Sequence, residues 1–100
     1  METIVEQSEG KALVKLEGHL DSYKAEEVEK LMAPLYTLED TEITLDCTDL
    51  EYIASSGLRL FFSLLRSTKP NGCEIIIKGA NSTIMEVFDM TGFNSMFKFV

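Results

Sequence analysis

The chain has 100 residues, 45% of them hydrophobic, which is enough for one compact domain with one core and too few for two. Its 17 acidic and 9 basic residues give a net charge of −8 at pH 7, which argues against nucleic acid and anionic membrane surfaces as partners. A single histidine argues against a zinc site, and we expect neither a metal nor a cofactor. Since no uninterrupted apolar run exceeds three residues, we expect a cytoplasmic protein without a membrane-inserted segment.

The first part of the chain predicts a β-hairpin followed by a helix. Residues 2–9 and 11–17 form two short segments with period-two character, and Gly10 between them favours a turn. A helical pattern then follows Asp21 and Ser22, one of which we expect to be its N-cap. The predicted buried face of this first helix consists of Val28, Leu31, Met32 and Leu35.

The middle of the chain predicts a strand, a second helix and another strand. Apolar and polar side chains alternate over residues 41–47, and a turn is predicted over 49–52. The second helix begins at a pair of serines and ends at a Pro-Asn-Gly turn, after which residues 73–78 form a strand. Cys47 and Cys73 fall in these strands, and we expect them to be reduced thiols. The predicted buried face of the second helix consists of Leu58, Phe61, Phe62 and Leu65.

The last part of the chain completes an α/β pattern. A third helix over 82–91, N-capped by Asn81 or Ser82 and ended by Gly92, precedes a short strand at 98–100. Near this helix, the predicted core residues are Phe88, Met90 and Phe93, and the candidates for an exposed apolar patch are Met85, Met96 and Phe97. The alternation predicts a single small domain over the whole chain, with a central, mostly parallel mixed sheet, one antiparallel strand and helices packed on it.

Ser55 and Ser56 lie where a strand and loop give way to the second helix, and three interpretations of them are open. In the first, one serine is an N-cap whose hydroxyl accepts a hydrogen bond from the amide of Gly57 or Leu58. In the second, a serine is the nucleophile of a small esterase, but the only histidine is His19 and no G-x-S-x-G elbow is present. The sequence therefore argues against an enzyme.

The third interpretation is a phosphate acceptor. A serine at a helix N-terminus is exposed by geometry, and the free amides and the helix dipole there stabilise an added phosphate without unfolding the domain. Arg59 lies four residues after Ser55, one turn along the same face, where it can pair with a phosphate or with a partner's carboxylate. An ordinary solvated arginine fits this position equally well.

Three segments together carry a family resemblance. They are Gly-His-Leu-Asp at 18–21, Ser-Ser-Gly-Leu at 55–58 and Phe-Asp-Met-Thr-Gly-Phe at 88–93. In this order and spacing the chain resembles, over nearly its whole length, a STAS domain of the bacterial anti-sigma-factor antagonist type. The resemblance implies a regulatory binding module in which a serine of an Asp-Ser-Ser/Thr-Gly motif is phosphorylated by an anti-sigma factor that is also an ATP-dependent serine kinase. The unphosphorylated form binds that partner and frees the sigma factor, and a PP2C-type phosphatase resets the switch.

Carried over to this chain, the resemblance makes Ser55 the phosphorylation site. The implied partner-binding surface comprises Asp21, Ser22, Ser55, Ser56, Gly57, Leu58 and Arg59. The sequence departs from the family pattern at Ala54, where an aspartate usually precedes the acceptor serine. A carboxylate that would position or polarise the serine is therefore missing.

A second regulatory class stays open beside this one. The family also includes small cytoplasmic STAS subunits that dock on the ATPase of a membrane transporter without a phosphoserine cycle. Ala54 favours this alternative, whereas the retained triplet Ser55-Ser56-Gly57 favours the phosphorylation-controlled antagonist. The neighbouring genes discriminate between the two classes, because a kinase or PP2C phosphatase indicates the first and a permease with an ATPase indicates the second.

Overall fold

The computed structural model describes residues 4–100 as a five-stranded mixed sheet with three α-helices. The elements are β1 (Ile4–Ser8), β2 (Lys11–Leu20), α1 (Ser22–Met32), β3 (Glu42–Ile53), α2 (Ser55–Thr68), β4 (Glu74–Lys78), α3 (Ser82–Thr91) and β5 (Lys98–Phe99). The strand order is β1-β2-β3-β4-β5, with β1 antiparallel to β2 and the other neighbours parallel. This arrangement confirms the predicted α/β architecture. Residues 2 and 3 of the predicted first strand lie outside the described residues.

Two central strands are longer than the sequence predicted. The strand β2 continues to Leu20, and β3 continues to Ile53 through the segment that we expected to be a turn over 49–52. The pairing of these strands shifts register twice, between Lys15 and Glu17 and between Gly18 and His19. A bulge inserts an unpaired residue into one strand, so the alternation of apolar and polar side chains is interrupted at each shift. In the sequence, this interruption resembles a turn. The turn prediction was therefore wrong.

The helix α1 begins at the predicted cap and buries most of the predicted face. Asp21 is the N-cap, and its Oδ1 accepts a hydrogen bond from the amide of Lys24 at 2.9 Å. The buried residues of this helix are Ala25, Val28 and Met32. Leu31 is 49% exposed, so its assignment to the core was wrong. At about 100° per residue it lies roughly a quarter turn away from the buried stripe. The chain then tightens into a 3₁₀ turn over Ala33–Thr37, which buries Leu35.

The helix α2 packs most of its predicted face into the core. Leu58, Phe61 and Leu65 are buried as expected, together with Leu60 and Leu64. Phe62 is only half-buried, and its ring stacks on that of Phe93 with centroids 5.1 Å apart.

The helix α3 has the predicted ends but not all of the predicted core. Asn81 is the N-cap, its Oδ1 accepting from the amide of Ile84 at 2.9 Å, and Gly92 ends the helix in the left-handed region. Phe88 is fully buried and Phe93 is half-buried against the core. Met90 is 81% exposed, so its placement in the core was wrong. Conversely, Phe97 is buried and does not extend an exposed patch, whereas Met96 is 43% exposed.

Both cysteines are free thiols buried in the core. Burial, with a smaller contribution from the charge of Asp46, raises the pKa of Cys47 to about 12. Because this pKa lies far above physiological pH, Cys47 remains a neutral thiol. It is unreactive, since the thiolate is the nucleophilic form. This residue packs the sheet and is not a candidate nucleophile.

Candidate functional site

The starts of α1 and α2 lie side by side at one edge of the sheet. The parallel strands β2 and β3 end with Leu20 paired to Ile53, and each is followed almost at once by its helix. The amide of Ala54 donates to the carbonyl oxygen of Leu20 at 2.9 Å, which ties the two strand-to-helix junctions together. Between the helices, the Ser56 hydroxyl donates to Oγ of Ser22 at 3.1 Å. Two helix N-termini, with their partial positive charges, thus point to the same surface.

Ser55 is the first residue of α2 and is exposed. Within residues 4–100, its hydroxyl takes part in no hydrogen bond. The N-cap is Ala54, whose methyl group cannot accept a hydrogen bond, so neither serine has the capping role that the first interpretation gave it. The amides of Gly57 and Leu58 instead donate to the carbonyl oxygen of Ala54, at 3.0 and 3.1 Å. A free hydroxyl therefore stands at an uncapped helix start.

Five of the seven predicted surface residues lie together at this surface, and the other two are buried beneath it. Asp21, Ser22, Ser55 and Arg59 are exposed, and Ser56 is half-buried between the helices. Leu58 is only 4% exposed and points into the core, so it does not belong to a contact surface. Gly57 is also buried, and a Cβ at this position would lie 2.9 Å from side-chain atoms of Leu20 and Ile53. Both residues support the surface from beneath.

Arg59 lies at the border between the helix start and a small cavity between α1 and α2. The cavity has a volume of about 210 Å³, and Arg59 lines it together with Glu26 and Glu29 of α1. Sequence reasoning did not predict that these two glutamates lie beside Arg59. The packing of α1 against α2 decides that neighbourhood, and no pattern within either helix indicates it.

Sequence reasoning also missed two exposed aromatic residues next to the serines. Tyr23, in the first turn of α1, is 74% exposed, and Tyr52, at the end of β3, is 46% exposed. The ring of Tyr52 lies 5.9 Å from that of His19 at the end of β2. Exposed tyrosines are enriched where proteins bind other proteins. Their signal in the sequence is their position within three residues of Asp21 or Ser55.

Among residues 4–100 the site shows neither a metal-ligand cluster nor a base beside Ser55. Within the part of the chain that the structure describes, no group of three or more His, Cys, Asp or Glu side chains is arranged to hold a metal ion. The Ser55 hydroxyl has no hydrogen-bonded imidazole or carboxylate among residues 4–100 that would act as its base. No helix in residues 4–100 has the length and apolarity needed to cross a membrane.

Ala54 at the N-cap leads to a testable stability effect. Ala54→Asp should raise the free energy of unfolding by about 0.5–2 kcal/mol, because the new carboxylate accepts from the free amides of the first turn. The measurement is urea denaturation at pH 7. Ala54→Asn is the control for charge and should recover most of the gain. If both variants are no more stable than the wild type, position 54 is not a functioning cap.

The fold and the site together define a small α/β domain that presents an exposed serine at two adjacent helix starts. The STAS domain family matches residues 2–100, and the chain belongs to this family. An anti-sigma-B factor antagonist of Staphylococcus aureus (strain NCTC 8325 / PS 47) is 30% identical over 83 residues, which cover 83% of this chain and 77% of that protein.

Solved structures confirm the fold. The anti-sigma factor antagonist SpoIIAA in its unphosphorylated form superposes with a TM-score of 0.79 at 18% identity, covering 99% of this chain and 87% of that chain. A sulfate transporter family protein from Wolinella succinogenes superposes with a TM-score of 0.72 at 17% identity, covering 90% of this chain and 76% of that chain. Since both identities are low, these likenesses concern the fold alone.

Proposed function

We propose that this protein is an anti-sigma-factor antagonist, a regulatory and non-catalytic module. In this proposal it sequesters an anti-sigma factor when Ser55 is unphosphorylated and releases it when Ser55 carries a phosphate. The observation that carries the proposal is the exposed Ser55 hydroxyl at the first position of α2, where the family motif has its acceptor. The relative in Staphylococcus aureus, an anti-sigma-B factor antagonist by name, supports the partner class. The whole chain, residues 1–100, acts as one STAS domain.

The position of Ser55 suits a phosphate acceptor. In the phosphorylation step a kinase transfers the γ-phosphoryl group of ATP to the Ser55 oxygen. The new bond joins this oxygen to phosphorus, the bond from phosphorus to the β,γ-bridging oxygen breaks, ADP leaves, and the hydroxyl proton passes to solvent or to a kinase base. The amides of Ser55 and Ser56 have no backbone acceptor among residues 4–100, so they are free to face the phosphate. The modification therefore stabilises the helix start and does not disturb the core.

The added charge accounts for the loss of binding. A phosphate brings a charge of about −1.5 to −2 at pH 7 to the middle of a surface that also includes Ser22, Tyr23 and Arg59. Charge and bulk at this point oppose a partner that fits the bare serine, because desolvating an unpaired phosphate is costly. A PP2C-type phosphatase that hydrolyses the phosphoserine completes the cycle in the cytoplasm.

The alternative is a STAS subunit that docks on the ATPase of a membrane transporter. The observation that favours it is Ala54 at the N-cap, in place of the aspartate that is usual in the phosphorylated family members. In that role Ser55 and its neighbours serve as a permanent contact surface. The same exposed residues are used, but no phosphate is added.

Kinase labelling tests the proposal. The wild type, Ser55→Ala and Ser56→Ala are incubated with labelled ATP and the anti-sigma factor kinase encoded nearest to this gene. We expect label on the wild type and on Ser56→Ala and none on Ser55→Ala. Ser55→Asp should weaken binding to the unlabelled kinase at least about tenfold, equivalent to about 1.4 kcal/mol, with unchanged thermal stability. Ser56→Asp is the matched control and should matter less.

Two outcomes contradict the phosphorylation switch. One is equal affinity of the wild type and Ser55→Asp for the identified partner. The other is label on Ala54→Asp but none on the wild type, because this result means that the missing aspartate has disabled the acceptor. In either case the phosphorylation switch is rejected, and a docking role without a phosphoserine cycle is favoured.

A further inference from the structure

We propose that phosphorylation of Ser55 transfers Arg59 from the carboxylates of α1 to the phosphate, so that one modification changes two charged patches. This inference rests on the proposed function in its use of a phosphate at Ser55. It concerns what a binding partner contacts at the modified site, namely the repositioned side chain of Arg59 as well as the phosphate.

Arg59 is placed to reach a phosphate on Ser55. The two residues are four apart in α2, which puts them on one face with an axial separation of about 6 Å. Arg59 is exposed, and its side chain is not tied to a carboxylate. The ion pairs of the described residues, with N–O distances up to 4.0 Å, are Lys15–Asp49, Lys24–Glu27 and Lys98–Glu74. The guanidinium is therefore free to move.

The unphosphorylated protein gives Arg59 a second, weaker partner. Glu26 and Glu29 line the same cavity of about 210 Å³ between α1 and α2. Within residues 4–100 neither carboxylate is in an ion pair, whereas the adjacent Glu27 contacts Lys24 at 3.3 Å. Because α2 contains no acidic residue, the carboxylates nearest to Arg59 across the cavity are those of α1. Glu26 and Glu29 therefore share the cavity with Arg59 but form no ion pair with its guanidinium among residues 4–100.

A phosphate on Ser55 outcompetes these carboxylates. It carries up to about twice the charge of one carboxylate, and its oxygens accept two parallel hydrogen bonds from a guanidinium. The free amides at the start of α2 orient the phosphate at the same time. Once Arg59 has moved, Glu26 and Glu29 lose the cation that shares their cavity. The surface thus becomes more negative both at the helix start and along α1.

The experiment uses the full chain with phosphoserine introduced at position 55 during translation, so that no kinase is needed. Titration by ³¹P NMR gives the second pKa of the phosphate, which is about 6 for an unperturbed phosphoserine. We expect this pKa to be about 0.3–0.7 unit higher in Arg59→Gln than in the protein with Arg59, because the guanidinium stabilises the dianion. Arg59→Lys should recover part of the difference, since it keeps the charge but loses the two-fold hydrogen bonding.

The matched control is Arg66→Gln, which removes the other arginine from the same face of α2. Arg66 is eleven residues from Ser55, about 16 Å along the helix and beyond the screening length of about 8 Å at physiological salt. Its substitution should leave the phosphate pKa unchanged. The expected difference in phosphate pKa between Arg59→Gln and Arg66→Gln is at least about 0.3 unit. If the two pKa values agree within about 0.1 unit, Arg59 does not pair with the phosphate and the proposal fails.

The departure of Arg59 from α1 has its own readout. On phosphorylation, the carboxylate ¹³C resonances of Glu26 and Glu29 should move further in the protein with Arg59 than in Arg59→Gln. Equal movement in the two proteins overturns the transfer, even where the phosphate pKa responds. Because the phosphoserine is introduced during translation, these results do not depend on whether a kinase phosphorylates Ser55 in the cell. If the NMR experiments contradict the transfer of Arg59, the proposed function is unaffected. If kinase labelling fails instead, the pairing of Arg59 with the phosphate can still be measured.

Discussion

Phe88→Ala is expected to lower the free energy of unfolding by about 3–5 kcal/mol, the usual cost of removing a buried phenylalanine side chain. Phe88 is fully buried and joins α3 to the rest of the core. Its ring lies 6.3 Å from that of Phe61 in α2, 5.7 Å from Phe97 and 5.3 Å from Phe99 in β5. The cavity left by the substitution opens between three elements, so local collapse cannot fill it. Chemical denaturation at pH 7 measures the loss.

Met90→Ala is the matched control for this prediction. It removes a large apolar side chain from the same helix, two residues away, but the side chain is 81% exposed. We expect a change within about 0.5 kcal/mol, as for other surface substitutions. Similar losses for the two variants would contradict the packing described for α3. A small loss for Phe88→Ala alone would show that the aromatic cluster does not anchor this helix.

Gly57→Ala should lower the free energy of unfolding by about 1–3 kcal/mol, although alanine is the better helix former. The added methyl group would lie 2.9 Å from Cγ1 of Ile53 and 2.9 Å from Cγ and Cδ2 of Leu20. Both neighbours are buried at the strand ends, so they have little room to move. The substitution pushes the start of α2 away from β2 and β3, and thermal or urea denaturation measures the cost.

A double-mutant cycle identifies the cause of that cost. In a Leu20→Ala background one of the two obstructing side chains is gone, and Gly57→Ala should then cost less by a coupling energy of about 0.5–3 kcal/mol. Ser67→Ala, an exposed change near the other end of α2, is the control for helix propensity and should be within about 0.5 kcal/mol of the wild type. An absence of coupling between positions 20 and 57 would refute close packing as the reason for this glycine.

The sequence predicted those features that local chemistry decides. The side-chain cap at Asn81 and the glycine that ends α3 follow from preferences of single residues, and the structure confirms both. The order of strands and helices follows from the apolar periodicities, and right-handed crossovers leave few arrangements of a small sheet. The place of Ser55 at the start of α2 follows in the same way. Its phosphorylation and its partner remain predictions.

Sequence reasoning failed where the outcome depends on packing between elements. Leu31 has the spacing of a buried residue, whereas Met90 was assigned to the core for its apolar side chain although it lies about 200° around α3 from Phe88. Within residues 4–100 no element covers either side chain, so both are exposed. The bulges between β2 and β3 interrupt the alternation, so a paired strand end was taken for a turn. Leu58 was assigned both to the core and to the partner surface, and only its packing decides for the core.

The sequence by itself determined the fold, the family and the position of a candidate acceptor serine, because strand and helix periods, helix ends and a short motif are local properties of the chain. Only the tertiary structure decided what surrounds that serine. The pairing of Leu20 with Ile53 brings two helix starts together, and the packing of α1 on α2 sets Arg59 beside Glu26 and Glu29. These residues are far apart in the chain, and the distances and charges between them exist only once the sheet has formed.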